Sequence, residues 1–321
     1  MKSMIRYIAV VLLLFCILPL EALGKELIPV GKVIGLELRS GSVTIAAFDE
    51  ELGAAAQAAG LQAGDVIVQI DDVAVASSDD VRRALAQSHG AVRMTVSRGG
   101  QQQELTLTPQ ITRDGPKLGA YLKQGVTGIG TVTWYDPDSG DFATLGHGVN
   151  NVNGKLLSMT EGFAYDARVL SVRQGKPGDP GQLMGAVERL EPVGTLRANT
   201  AQGVFGKCTR GWNGAERTVA QKDEIRTGEA KILSTVSGTE VREYSVEILK
   251  IYPKAKLTGR NLLIKVTDPE LLAATGGIVQ GMSGSPIIQD GKLVGAVTHV
   301  LVNDPTTGYG IFIENMLDAA A

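Results

Sequence analysis

Gly281-Met282-Ser283-Gly284-Ser285 places a serine among small residues, just ahead of two apolar, strand-like runs. A serine hydroxyl is a weak nucleophile near neutral pH. It needs a base within hydrogen-bond reach, and donors for the oxyanion that forms when it attacks a carbonyl. Histidine supplies such a base because its pKa lies near working pH. The chain has three histidines. His147 stands in Leu-Gly-His-Gly-Val, at the end of a predicted strand where small neighbours keep an imidazole accessible. His299 falls in a strand expected to carry it away from Ser283 along the sheet, and His89 falls in a separate region. His147 is therefore the expected base. For a third, orienting group the chain offers Asp268, Asp166 and Asp304. Asp268 precedes Pro269 and an apolar run, so it reads equally as a helix cap, since Asp followed by Pro is a common helix start. Lys265 and Lys292, the partners a Ser-Lys arrangement would need, read as ordinary strand and turn charges.

These groups must be held by a scaffold. From residue 119 onward the pattern is mostly β: Val126 to His147 reads as strand, Asp-Pro-Asp-Ser-Gly turn and strand, and Arg242-Glu-Tyr-Ser-Val-Glu-Ile-Leu-Lys-Ile, Asn261 to Asp268 and Lys292 to Asp304 are strand-like too. Convincing amphipathic helices are scarce, which predicts a barrel or sandwich. Residues 173–182, rich in Gly and Pro, read as an exposed, mobile loop. Residues 109–118 are polar with two prolines and read as a linker.

Ahead of the linker, residues 25–108 read as a compact mixed domain. Ser77 is placed to cap a helix with Asp80 in the capping-box position, and Val81, Ala84 and Leu85 form its inward stripe. Gly60-Leu61 and Gly64-Asp65-Val66-Ile67, followed by a short strand and a polar turn, resemble the PDZ family. That resemblance implies a peptide groove between the strand near Gly35 and the helix from Asp79. Val33-Ile34-Gly35-Leu36 would then be its carboxylate-binding loop, with a chain terminus added as an edge strand.

Composition narrows the classes further. A net charge of −3 without a long basic block gives no reason to expect a nucleic-acid partner. The histidines and the one body cysteine, Cys208, lack metal-ligand spacing, so no metal and no cofactor are expected. At the N-terminus, Lys2 and Arg6 precede an apolar run from Tyr7 to Leu20, shorter than the roughly 20 residues of a spanning helix, with Ala22-Leu23-Gly24 after it. Residues 1–24 thus read as a cleaved export signal or a short membrane anchor, either of which places the body outside the cytosol.

The combination of this leader, a PDZ domain, Thr144-Leu-Gly-His-Gly-Val and the run from Lys265 to Glu314 resembles the SpoIVB-type peptidases of endospore-forming bacteria. The serine loop is also similar to the nucleophile loop of chymotrypsin-like enzymes. The resemblance implies an α+β PDZ domain followed by a mostly β, double-barrel peptidase domain over 119–321. Ser283 would be the nucleophile, His147 the base and Asp268 the acid, with the backbone N–H groups of Gly281 and Ser283 as the oxyanion hole. Ser285 is then a hydrogen-bonding turn residue. The resemblance further implies a regulatory serine endopeptidase exported from the forespore. Its expected partners are a membrane-anchored regulatory protein as substrate, whose cleavage triggers intramembrane processing of a pro-sigma factor, and a peptide or chain terminus as PDZ ligand, including its own end after self-cleavage near the N-terminus. Two other readings stand beside it: an oligomeric PDZ-containing quality-control protease, and a catalytically inactive PDZ scaffold or sensor.

Overall fold

The computed structural model describes residues 24–151, 154–255 and 259–321. The leader expected over residues 1–24 therefore lies almost wholly outside the described residues. Among those described, no helix is long and apolar enough to cross a membrane.

Alternation of β-branched and polar residues builds two barrels. In the first, Val33–Ser40, Val126–Tyr135, Asp141–Thr144, Gly203–Cys208, Gln182–Thr200 and Met159–Arg173 follow one another. The pairing of Asp141–Thr144 with Val126–Tyr135 closes the circuit, and Glu26–Pro29 extends it. Its interior holds Ile34, Leu38, Val132, Phe142 and Val204, all buried. The second barrel closes through Gly228–Ser237, Glu240–Ile251, Leu262–Val266, Asp304–Phe312, Lys292–Leu301 and Pro286–Gln289. A C-terminal helix, Ile313–Ala320, is amphipathic and buries Ile313 and Met316 against Trp134, Phe205 and Leu293.

The PDZ domain is not placed ahead of the peptidase but inserted into it. Its sheet runs in the order Ala120–Lys123, Val43–Phe48, Val66–Ile70, Val92–Arg98, Gln101–Leu107. Its buried core draws only on residues between Val43 and Leu118. The helix Ser78–Gln87 starts at the expected capping box, Ser77 with Asp80, and buries Val81, Ala84 and Leu85.

This corrects the boundaries of 25–108 and 109–118. Strands Glu26–Pro29 and Val33–Ser40 belong to the first barrel, and the polar stretch is a small hairpin, Gln110–Thr112 with Gly115–Lys117. The PDZ sheet then takes its last strand from Ala120–Lys123, beyond the expected linker. Chain leaves the barrel at Ser40 and returns at Val126, and the outgoing and returning strands pair on both sides of the junction: Val126 with Leu38 in the barrel, Lys123 with Thr44 in the PDZ sheet. One antiparallel ribbon thus threads both domains. At its joint the Gln124 amide donates to Ala76 O (3.2 Å) and accepts from Ser78 N (3.3 Å) at the start of the PDZ helix. Gly125 has φ of 112°, and a Cβ there would lie 1.9 Å from Leu38 O, so only glycine passes.

The loop over residues 173–182 is tied down rather than free. Gly175 N donates to Thr275 O (2.8 Å) and Gly178 N to Val302 O (2.9 Å), anchoring it to the second barrel.

Candidate active site

Ser283 stands in the segment between the helix Pro269–Thr275 and the strand Pro286–Gln289. Backbone hydrogen bonds fold that segment tightly. Met282 N donates to Val279 O (3.1 Å), Gly284 N to Val297 O (2.7 Å) and Ser285 N to Met282 O (3.0 Å). Gln280 N reaches across to Gly181 O of the first barrel (3.3 Å). The N–H groups of Gly281 and Ser283 make no such bond among the described residues. These are the two donors expected to receive an oxyanion, and the loop leaves them available. Gly284 has φ of 98°, and a Cβ on it would lie 2.0 Å from Thr131 O, so the loop can seat against the first barrel only with glycine there. Ser285 is buried and donates to Ser234 Oγ (3.1 Å), the turn role expected of it.

Thr131, fully buried in Val126–Tyr135, ties the serine loop to the histidine arm. Its N–H donates to Ser283 O (3.0 Å) and its Oγ1 to Gly281 O (2.9 Å). Its own carbonyl accepts from Thr144 Oγ1 (2.6 Å) and Leu145 N (3.4 Å). Thr131 carries no sequence signal beyond strand character.

His147 follows the strand Asp141–Thr144 through a sharp turn in which Leu145 takes φ of 70°, a conformation few non-glycine residues adopt. Beyond it, Asn199 accepts from Val149 N (2.8 Å) and donates to Val149 O (2.8 Å) and Leu157 O (2.9 Å), fixing the arm. The His147 Nδ1 donates to Gly148 O (2.9 Å), because a carbonyl only accepts. Nε2 is then the free lone pair of the neutral ring. Burial is the main cause holding His147 below the ordinary histidine pKa, against the opposing pull of the Gly148 carbonyl.

Ser283 and His147 line one cavity of 330 Å³ between the barrels, with Gly281, Gln280, Leu36, Leu38, Ile129 and Val149. A second cavity of 370 Å³ shares Leu36, Gly128 and Ile129 and continues to Tyr165, Val187 and Leu190. In this unliganded state Ser283 Oγ donates to Thr298 O (2.9 Å), so attack requires a χ1 turn toward His147.

Two expectations are corrected. Asp268 is not brought to His147. One of its carboxylate oxygens accepts from Glu270 N (2.9 Å) and Leu271 N (3.0 Å), the other from Ser245 N (3.2 Å), so it caps the helix Pro269–Thr275. The alternatives are engaged too, Asp166 by Lys32 and Arg210 and Asp304 by Thr306 and Thr307. The ring beside His147 is that of His299, 5.2 Å between centres, on the strand Lys292–Leu301 that was expected to carry it away.

Second, Val33, Ile34, Gly35 and Leu36 cannot be a carboxylate loop. Val33 pairs with Thr131, and the next three are paired on both sides, Ile34 with Gly130 and Asp166, Leu36 with Gly128 and Ala164, so Ile34 to Leu36 offer no free backbone edge. Leu36 instead walls the cavity that Ser283 and His147 line. The cleft of the PDZ domain is a 530 Å³ groove between the helix Ser78–Gln87, through Val81, Arg82 and Leu85, and the edge strand Ala120–Lys123, preceded by Lys117-Leu118-Gly119. Leu118-Gly119-Ala120 repeats the apolar-Gly-apolar signal of Ile34-Gly35-Leu36. Sequence pattern alone could not rank the two, because the groove strand follows the helix in the chain instead of preceding it.

A family model described as SpoIVB peptidase S55 matches residues 114–317, more than half of the chain. The chain belongs to this family. A PDZ domain model matches residues 51–98. This SpoIVB-type chain accordingly carries a PDZ domain together with a double-barrel SpoIVB-type peptidase domain. A protein of Agrobacterium fabrum named as a zinc metalloprotease is 36% identical over 89 residues, and the match covers 27% of this chain and 22% of that protein's length. Among solved structures, the Rv3671c protease of M. tuberculosis in its active form is 15% identical over 60% of this chain and 72% of that one, with a TM-score of 0.37. The HtrA-type protease AlgW with decapeptide is 14% identical over 65% and 57%, with a TM-score of 0.37.

Proposed function

We propose that this protein is an exported regulatory endopeptidase that cuts the extracytoplasmic part of a membrane-anchored regulator, and that this cut triggers intramembrane processing of a pro-sigma factor during sporulation. The observation that supports it most directly is that the serine loop, its two unpaired N–H groups and His147 meet in one cavity of a SpoIVB-family chain. In the reaction, Ser283 Oγ bonds to the scissile carbonyl carbon, its proton passes to His147 Nε2, and the carbonyl electron pair moves to the oxygen held by Gly281 and Ser283 N–H. The C–N bond then breaks as His147 gives that proton to the leaving amine. Water repeats the cycle on the acyl-enzyme and frees Ser283. The apolar walls at Leu36, Ile129 and Val187 suit substrates with apolar side chains beside the cut bond.

The PDZ groove suits a chain terminus whose apolar last residue packs on Val81, Leu85 and Leu118, with Arg82 and Lys117 to attract its carboxylate and Ala120–Lys123 as the strand it pairs with. The test is fluorophosphonate labelling of Ser283 in the full-length protein, followed by incubation with the regulator's extracytoplasmic segment. One cut, abolished by Ser283→Ala together with sigma-factor processing in sporulating cells, is the expected result. Broad degradation of unfolded protein would favour a quality-control role, and absence of labelling with or without a C-terminal peptide would favour a scaffold.

A further inference from the structure

The strand Gln182–Thr200 starts at the serine loop, where Leu183 N donates to Gln280 O (2.8 Å) and Gly181 O accepts from Gln280 N (3.3 Å). Gly185 then passes Ile129, whose Cδ1 would lie 3.2 Å from a Cβ at that glycine. Val187 closes over Gly35, where a Cβ would lie 2.7 Å from Val187 Cγ2, so the missing side chain of Gly35 leaves the room. Next the strand swells. Ala167 pairs with Val187 and Tyr165 with Pro192, so the single residue Asp166 stands opposite the four residues Glu188 to Glu191. Bulges of this kind re-aim side chains and recur beside active sites. Glu188, Arg189 and Glu191 are exposed, as charges should be, but so is Leu190, at 92%. That leucine fills no core. What it borders is the 370 Å³ cavity that shares Leu36, Gly128 and Ile129 with the cavity of Ser283 and His147.

We propose that Leu190, backed by Val187, forms a second apolar subsite that clamps a substrate side chain about three residues from the cut bond. The inference rests on the assignment of Ser283 and His147 above. The spacing follows from the sheet. Ile129, Gly35 and Tyr165 stand in one row across three neighbouring strands. Strands lie about 4.8 Å apart, so the row runs about 10 Å from the wall shared by both cavities, the rise of about three residues of extended chain. The occupant is the substrate polypeptide, because the groove opens out of the nucleophile's own cavity and the strand leaving the serine loop walls it. Its anchoring side chain is apolar rather than basic. The one carboxylate lining this cavity, that of Glu37, already accepts from Tyr165 Oη (2.9 Å) and Arg39 Nε (2.8 Å). A contact so far from the reacting atoms holds substrate and transition state alike, so it acts through KM.

The measurement is mass spectrometry of the cuts that the full-length protein makes in a library of proteome-derived peptides, for wild type, Leu190→Asp and Leu190→Met. Fluorophosphonate labelling rate and melting temperature are followed alongside. In the wild type, Leu, Ile, Val and Phe should be enriched at one position about three residues from the cut, besides any preference at the two flanking residues. Leu190→Asp should lose that enrichment, and its kcat/KM on one such peptide should fall roughly tenfold, through KM with kcat nearly unchanged. Leu190→Met should keep both. Labelling and melting should stay at the wild-type values in each variant, because the probe is too small to reach the bulge and Leu190 is exposed. Three outcomes would overturn the proposal and leave Leu190 an ordinary surface residue: an unaltered profile and kcat/KM in Leu190→Asp, no apolar preference beyond the flanking residues, or a loss that falls on kcat and labelling as well. A wild type that neither labels nor cuts, or cuts that survive Ser283→Ala, would instead mark failure of the underlying site assignment.

Discussion

At the scale of single residues, the proposed site pairs Ser283 as nucleophile with His147 as base, while Asp268 caps a helix outside the cavity they line. Ser283→Ala and His147→Ala are expected to abolish fluorophosphonate labelling while leaving the free energy of unfolding within about 1 kcal/mol of wild type. Asp268→Ala separates the two roles proposed for that residue. Losing the cap bonds to Glu270 N and Leu271 N should cost about 0.5–2 kcal/mol of stability, read by denaturant melting, with labelling of the folded fraction nearly unchanged. A collapse in labelling at full stability would return Asp268 to the catalytic group. The histidines also set an acid limit. Both His147 and His299 have pKa values lowered by folding, so the unfolded chain binds more protons in that window. Stability is therefore fully present above the ordinary histidine value and is lost as pH falls toward the folded value, about 4 for His299. A melting temperature that stays flat through that window would contradict this.

At the scale of elements, positioning depends on the strand Val126–Tyr135. Thr131 holds the serine loop with two groups and the histidine arm with a third, so Thr131→Val, which keeps shape and the backbone bonds but removes the Oγ1 bond to Gly281 O, should slow labelling by roughly tenfold with little change in melting. Equal labelling would mean that the backbone bonds alone set the loop. The strands of both barrels were legible because alternation and glycine turns are local signals, and so were the PDZ capping box and the serine loop. What was not legible depends on long-range pairing. Val33–Ser40 is equally apolar on either side of a domain boundary, and only its partners, Gly130 and Asp166 among them, show which sheet it completes. His299 was misplaced for a related reason. Distance along a strand says nothing about which residues a barrel's curvature brings face to face with the opposite barrel. Asp268 carried its helix-start signal openly, through Pro269, and that local signal describes its contacts better than its position ahead of the serine did.

At the scale of the whole molecule, insertion of the PDZ domain decides which pieces are dispensable. A chain beginning at Lys25 keeps the pairing of Leu27 and Ile28 with Arg217 and Tyr135 and should label normally. Removal of everything before residue 109 takes Glu26–Pro29 and Val33–Ser40 out of the first barrel and should yield no folded, labelled protein. Joining Ser40 to Gly125 by a short turn in place of the PDZ domain should give a folded peptidase, because Leu38 and Val126 are already neighbours. Circular dichroism and labelling of the two deletions distinguish this architecture from a tandem one, in which the first deletion would survive.

The threaded ribbon also bears on how the chain finds its structure. Strands Val33–Ser40 and Val126–Tyr135 must pair across the whole PDZ segment, and closing so long a loop from a disordered chain costs about 4 kcal/mol in entropy. The PDZ domain has its own buried core and holds Thr44 against Lys123. Once it has folded, the two barrel strands emerge side by side, and a distant contact becomes a local one, as in a hairpin. Fast-forming local contacts precede slow non-local ones, so the inserted domain acts as a template that seeds the first barrel. A cavity in its core, such as Met94→Ala, should then slow recovery of peptidase labelling on refolding, although Met94 is far along the chain from every catalytic group. Such slowing would make the inserted module part of the folding pathway of the barrel it interrupts.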